Sequence, residues 1–449
     1  MSERPHDRAS LLDRALRVFS DVRAGEGALA LVMTANVFVV MLGYYVLKTV
    51  REPLILASGG DGALPFPVSG SEGKAYAASA QALCLVLASM AYARLAARWS
   101  VRRLIHRVIA FFFVCLLLFY AAAHAGAPHL GFVFYVWVGV FNVAVIAQFW
   151  AFANDVYPRE SGERIFPIVM LGMGVGGWLG SKLAATLYRH GVDSFEMMLV
   201  AAALLLLHAA LYQVVHRLRS AALADAPRES LPDAAPFSMR GAFALLAESR
   251  YLKLIAALLI AANLVNTTGE YLLSVAVTEA ADGAPDRRAF IGATYADFHA
   301  DVNMAVLLVQ GLLTSRIVRL GGIRAVVFAL PLVALSAYSL IAVGATFAVV
   351  RWAKVAENTA DYSLMGTAKA LLFLPTTREE KYKAKVAIDT VFVRIGDVLA
   401  SGLVALGLHV FALDTRGFAL VNVGVIGLWL LLALGIARRY RALAATLPS

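Results

Sequence analysis

Twelve apolar runs, each close to 20 residues long, follow one another through this 449-residue chain with only short polar stretches between them. They fall at roughly 28–49, 75–97, 104–124, 130–154, 165–188, 195–216, 252–277, 298–317, 323–345, 347–373, 386–410 and 417–437. A helix of about 20 residues spans the roughly 30 Å hydrocarbon core of a bilayer. Inside that core every backbone N–H and C=O needs an internal partner, so long apolar runs are read as helices. The composition agrees. The chain is 60% hydrophobic and 16% charged, whereas soluble domains average about 45–50% apolar and about 25% charged. The expected fold is an all-α membrane protein with twelve transmembrane helices.

The charges set the orientation. Lys and Arg exceed Asp and Glu by 10, a balance that would otherwise raise the question of nucleic acid. Here the basic residues gather in alternate connections. The N-terminus carries Arg4, Arg8, Arg14, Arg17 and Arg23, and the connection after the second run carries Arg94, Arg98, Arg102, Arg103 and Arg107. Arg159 and Arg164, then Arg217, Arg219, Arg228, Arg240 and Arg250, then Arg316, Arg319 and Arg324, and finally Arg438, Arg439 and Arg441 continue the pattern. The intervening connections, such as "HAGAPHL" and "GLHVFALDTRG", are poor in cations. Positive connections stay on the cytoplasmic side, so both termini are expected there, in a bacterial inner membrane. Partners are then the lipid bilayer and a small solute, with no nucleic acid, and the chain is expected to be a monomer.

The N-terminus shows no signal-peptide pattern, and Leu11, Leu12, Ala15, Val18 and Phe19 recur at helical spacing among charges, which predicts a short helix on the membrane surface. Cys84 and Cys115 lie inside apolar runs, so no disulfide framework or metal-ligand spacing exists. His106, His190, His216, His299 and His409 sit at run ends with no i, i+4 pairing, and neither G-x-S-x-G nor H-E-x-x-H occurs. No cofactor is expected, and no enzyme.

The polar stretch around 217–241 divides the runs six and six, and "RLAARWSVRRLI" weakly repeats as "SRIVRLGGIRAV". The predicted organisation is an amphipathic N-terminal segment (1–26), a six-helix half (27–217), a cytoplasmic linker (218–250), a second six-helix half (251–440) and a tail (441–449). Two such halves describe the major facilitator architecture, in which solute binds near the midplane between them. Ala97 stands nearest to where that architecture's repeat has an acid.

Charges inside the runs are the candidates for function, because charge at membrane depth is costly and marks a cavity or pathway. In the first run Lys48, Arg51 and Glu52 are spaced i, i+3 and i+4, on one helical face. Either they meet an anion in a cavity, or Pro53 ends the helix and they snorkel to the outer interface. Asn263, Asn266, Thr267 and Glu270 share a face of the seventh run, and Glu270 there needs a cation or a proton. Lys354, Glu357, Asn358 and Asp361 form one narrow stripe of the tenth run, which also holds Arg351 and Lys369. The eleventh run sets Lys385, Asp389 and Asp397 on one face, with Arg394 placed to pair with Asp397. Gly172, Gly176 and Gly180 predict close helix packing in the fifth run, where Lys182 is a further candidate cation. The fourth run adds Asn142, Gln148, Asn154 and Asp155.

Several stretches resemble the nucleotide transporter family, the ATP:ADP antiporters of obligate intracellular bacteria and plastids together with their free-living bacterial relatives. They are "YYVLKTVREPLI", "FWAFANDVYPRESGERIFPIVMLGMGVGGWLGS", "RWAKVAENTADYSLMGTAKALLF" and "TTREEKYKAKVAIDTVFVRIGD", with a looser likeness in "NLVNTTGE". The resemblance implies a facilitator-type fold exchanging nucleoside triphosphate for diphosphate through intramembrane charges. Arg51 stands at the family's span-1 lysine, flanked by Lys48 and Glu52. Asn266 replaces the family's span-7 acid, Glu270 sits where a base is expected, and "VWVGVFNVAVIAQ" lacks the acid of strict exchangers.

Three functions follow. The first is secondary transport of an anionic, nucleotide-like or phosphorylated solute, with Lys48, Arg51, Lys182, Asn266 and Lys354 meeting it. Glu52, Glu270, Glu357, Asp361, Asp389, Arg394 and Asp397 then form the coupling network. The second is a proton-coupled facilitator for another solute, with Glu270 or Asp361 carrying the proton. The third is a membrane scaffold that transports nothing.

Overall fold

The computed structural model describes residues 10–18, 20–58, 64, 67–222, 239–377 and 379–444. Phe19, Arg4, Arg8, Arg228 and residues 223–238 of the linker lie outside them. Apart from the short surface helix α1 (Leu11–Leu16), the amino-terminal bundle comprises α2 (Gly27–Leu56), α3 (Gly70–Arg98), α4 (Val101–His124), α5 (Leu130–Val156), α6 (Arg159–Arg189) and α7 (Ser194–Ala222). After α8 (Met239–Glu248), the carboxy-terminal bundle comprises α9 (Arg250–Ala281), α10 (Arg287–Leu308), α11 (Thr314–Ala342), α12 (Phe347–Ala360), α13 (Gly366–Leu372), α14 (Lys385–Ala387), α15 (Val393–His409) and α16 (Thr415–Ala444).

Among the described residues, ten helical segments are long and apolar enough to cross a membrane. One runs from Arg287 to Ala342, 56 residues, which at about 1.5 Å per residue is far longer than a bilayer is thick. It is broken at Gly322, whose φ of 57° and ψ of −153° leave the helical region. The α12–α13 stretch is absent from the ten because Arg351, Lys354, Glu357, Asp361 and Lys369 make it too charged, and the π-helical segment Asp361–Met365 lies within it. Further π-helical segments occupy Val309–Leu313, Glu380–Ala384 and Ile388–Phe392. Each such segment shifts the helical register.

Two apolar cores hold the chain together. One is built largely by α2 and α4–α7, the other by α9–α16 with Ile55, Leu56, Ala75, Ala77 and Tyr135 added. The glycine stripe of α6 explains its close packing on α2. A Cβ at Gly172, Gly176 or Gly180 would collide with the carbonyl oxygens of Thr34, Phe38 and Leu42, themselves spaced one turn apart on α2. Only glycine lets the two backbones approach this closely.

The bundles touch mainly at the end remote from the termini. Ser79 donates to Ser401 Oγ at 2.6 Å and Ser401 donates to the Ala75 carbonyl at 2.6 Å, joining the start of α3 to α15. Asn303 of α10 packs against Gly177 and Ser181 of α6. Arg189 and Lys182 both approach Asp297. At the termini end, Arg164 clasps Glu26 with both guanidinium nitrogens at 2.9 Å, within the amino-terminal bundle. Asp13 accepts from the N–H of Gly27 at 2.9 Å and pins α1 to the start of α2. Leu11 and Val18 are left more than four-fifths exposed.

Candidate functional site

A chain of buried charges begins on α2. Pro53 does not end that helix, which continues to Leu56, because a proline near the last turn forfeits one ladder bond that neighbouring groups can replace. Lys48 and Glu52 are buried and Arg51 is nearly so. Snorkelling to an interface is therefore overturned: the helix carries these groups inward against other helices. Arg51 Nε donates to Glu52 Oε1 at 2.9 Å, and its guanidinium lies 4.2 Å over the Tyr135 ring.

The other Glu52 oxygen meets Lys74 Nζ at 2.8 Å. Lys74, which the sequence reading left outside the second run, is buried in the first turns of α3 and donates to Tyr295 Oη at 3.0 Å. Its place was legible. Ser69 followed three residues on by Glu72 is a helix-start pattern, and the Ser69 hydroxyl accepts from the Glu72 N–H at 3.2 Å. That start sets the helix five residues earlier than the apolar run suggests.

Lys74 also faces Glu270 of α9 across the bundle boundary at 3.6 Å. The other Glu270 oxygen lies 3.6 Å from Lys354 and accepts from Asn358 at 3.1 Å. Lys354, essentially fully buried on α12, reaches Glu357 Oε2 at 2.9 Å and donates to Asn266 Oδ1 at 3.1 Å. Tyr338 of α11 closes the chain, its hydroxyl donating to Glu357 Oε2 at 2.8 Å. Gly269 makes room for this end. A Cβ there would strike the Tyr338 hydroxyl and crowd Lys354 Nζ. The result is one continuous ionic path, Arg51–Glu52–Lys74–Glu270–Lys354–Glu357, running from one bundle into the other.

Lys48 stands beside this path without a carboxylate partner among the described residues. Its Nζ lies 5.2 Å from the Tyr45 ring centroid and 5.8 Å from that of Tyr362. His299 is buried nearby, 6.2 Å from Tyr45 ring to ring.

The remaining candidates fall elsewhere. Lys182 is separate from the cluster, two-fifths exposed and 3.8 Å from Asp297. Asp361 is half-buried at the first residue of its π-helical segment, in the field of Lys369 and Lys354. The expected shared face of Lys385, Asp389 and Asp397 is corrected, because the π-helical segment Ile388–Phe392 intervenes. Lys385 points to the Phe373 ring at 5.9 Å, with Asp389 half-buried near it. Asp397 instead accepts from Asn263 at 2.6 Å, Thr267 at 2.8 Å and Arg394 at 3.0 Å, which staples α15 to α9. A second polar link escaped sequence reasoning altogether. Buried Glu72 accepts from Tyr76 Oη at 2.5 Å and lies 2.7 Å from His409 Nε2 at the far end. Nothing in the sequence brings residues 72 and 409 together. Among the described residues no group of three or more His, Cys, Asp or Glu could hold a metal ion.

Apolar helices closed around an ionic chain that crosses between two bundles make a multi-pass helical membrane protein of transporter fold. Solved structures share that fold. A POT family transporter crystallised with 5-aminolevulinic acid superposes with a TM-score of 0.63 over 91% of this chain and 96% of its own, at 12% identity. The nucleoside transporter NupG gives 0.60 over 92% and 98%, at 14% identity.

The resemblance to the nucleotide transporter family is supported by sequence comparison over part of the chain. Residues 131–335 match the TLC ATP/ADP transporter family. ADP,ATP carrier protein 1 of Chlamydia pneumoniae is 26% identical over 350 residues, 68% of this chain and 66% of that carrier, just short of two thirds of its length. These likenesses are to membrane transporters and not to enzymes, as the sequence led one to expect.

Proposed function

We propose that this chain is a secondary transporter that moves an anionic, nucleotide-like small molecule across a bacterial inner membrane by alternating access, in the manner of nucleotide exchange. The carrying observation is the buried ionic path between Arg51 and Glu357, which ties two bundles through Lys74 and Glu270. In the proposal twelve crossings form two six-helix halves with boundaries near 217 and 250, and the termini lie in the cytoplasm. Helices α10 and α11 count as two crossings and α12–α13 as one. The bundles meet at the end remote from the termini, which supports a state open toward the cytoplasm.

An entering anion meets Lys48 first, since it has no carboxylate to give up, then the Lys354–Asn266 pair. Arg51 holds Glu52 and the Tyr135 ring, so its part is to keep the acid in place beside Lys74. Competition between solute and Glu270 for Lys74 and Lys354 loosens the link between the bundles, and this couples binding to rearrangement. Such a competitor acts only through its different affinity for the two states.

Uptake of labelled ATP and ADP into proteoliposomes, with and without unlabelled nucleotide inside, tests the proposal beside the Arg51→Ala protein. Uptake that needs internal nucleotide and collapses in the variant is the expected result. Well-folded protein that takes up neither sinks nucleotide exchange.

A further inference from the structure

The charges of the central path nearly cancel, and the remainder limits what the site accepts. Lys48, Arg51, Lys74 and Lys354 face three carboxylates, Glu52, Glu270 and Glu357, so the formal surplus is one positive charge. Charged neighbours at α13 and on α15 add nothing to it. Asp361 lies in the field of Lys369, and Arg394 pairs with Asp397. The surplus has a location as well as a value. Each of Arg51, Lys74 and Lys354 lies within 3.6 Å of a carboxylate oxygen, whereas Lys48 lies against two tyrosine rings.

A solute with three or four negative charges needs cations that the path does not have free. Taking Lys354 from its acid strands Glu357, and taking Lys74 leaves Glu52 with Arg51 alone, both acids being almost completely buried. A buried carboxylate stripped of its partner is strongly unfavourable. A solute with one negative charge, held first by Lys48, brings the cluster to neutrality even as it competes with Glu270 for Lys74 and Lys354. Tyr362, nearly half exposed, offers a ring face to a flat group beside that ammonium.

Resting on the proposed transport of an anionic nucleotide-like solute, we infer that the solute the site prefers carries a single net negative charge, balanced by Lys48, with a nucleoside triphosphate held more weakly. The solute class is a flat-ringed monoanion.

A charge ladder on one ring system tests this. Adenosine, cyclic AMP, AMP, ADP and ATP carry about zero, one, two, three and four negative charges near neutral pH, given a second phosphate pKa of about 6. Their dissociation constants are read from thermal stabilisation of the purified full-length protein, since a ligand of the native state raises its apparent stability. The expected optimum is cyclic AMP, bound roughly tenfold or more tighter than ATP. In Lys48→Gln the optimum moves to adenosine, and in Lys48→Arg it stays on cyclic AMP. Affinity that rises along the ladder to ATP overturns the monoanion limit and leaves nucleotide transport standing. A folded protein that no rung stabilises overturns the nucleotide-like solute, and the limit with it. Should Lys48→Gln fail to fold, the wild-type and Lys48→Arg ladders still decide.

Discussion

Lys74→Met removes a cation shared by acids of both bundles, and the cost can be worked from its contacts. Lys74 Nζ lies 2.8 Å from Glu52 and 3.6 Å from Glu270, with its side chain 4% and that of Glu52 1% exposed. Breaking a fully buried ion pair from one side costs about 3–5 kcal/mol. Glu52 keeps Arg51 at 2.9 Å and Glu270 keeps Lys354 at 3.6 Å, so the loss is cut to roughly 2 kcal/mol. Glu52→Gln in the Lys74→Met background recovers part of it, because the stranded charge is gone. A double-mutant cycle on these two positions, read by denaturant titration in detergent, is expected to show a coupling of about 1–3 kcal/mol. Additive single losses, or a Lys74→Met protein as stable as the parent, would refute the shared-cation argument. Uptake of the Lys74→Met protein is also expected to fall, since the link between bundles is gone.

Other perturbations bear on separate parts of the molecule. Gly176→Leu drives a side chain into the Phe38 carbonyl and is expected to destabilise by about 1–3 kcal/mol in the same titration, whereas Gly424→Leu, where a Cβ meets nothing nearby, leaves stability unchanged. Tyr338→Phe deprives Glu357 of one donor and costs about 1 kcal/mol; Gly269→Ala displaces the whole tyrosine and exceeds it. At the N-terminus, burial raises the Asp13 pKa, but N–H groups of Ser10, Gly25 and Gly27 and the Ser10 hydroxyl outweigh this and hold it at about 2. A folded pKa below the unfolded value near 3.8 means the clamp is fully present above about pH 4 and is lost as pH falls toward 2. Hydrogen exchange over 10–30 is expected to quicken across that window and to be fast at all pH in Asp13→Asn.

Helix faces were readable wherever the helix was regular. Asn263, Asn266, Thr267 and Glu270 recur at 3.6-residue spacing, and all four side chains do work on the side of α9 that meets α12 and α15. The same spacing argument failed over 385–397, because a π-helical segment adds an offset that apolar periodicity does not display. Lys74 was missed for another reason. An apolar-run boundary locates hydrocarbon, whereas the helix starts at its cap, and the buried charge lies between the two.

By itself the sequence determined that the chain is a multi-pass helical membrane protein, since backbone groups at membrane depth have no other way to be satisfied. It also determined which few side chains carry charge into that environment, and the family those stretches resemble. Only the tertiary structure decided which charges cancel. Glu52 and Lys74 are 22 residues apart on different helices, and Glu270 reaches Lys74 and Lys354 from a third. Pairing depends on distances of a few ångströms, and those are set by glycine-guided helix packing and not by order along the chain. Among the described residues, packing therefore left Lys48 as the one cation of this cluster without an ion-paired acid.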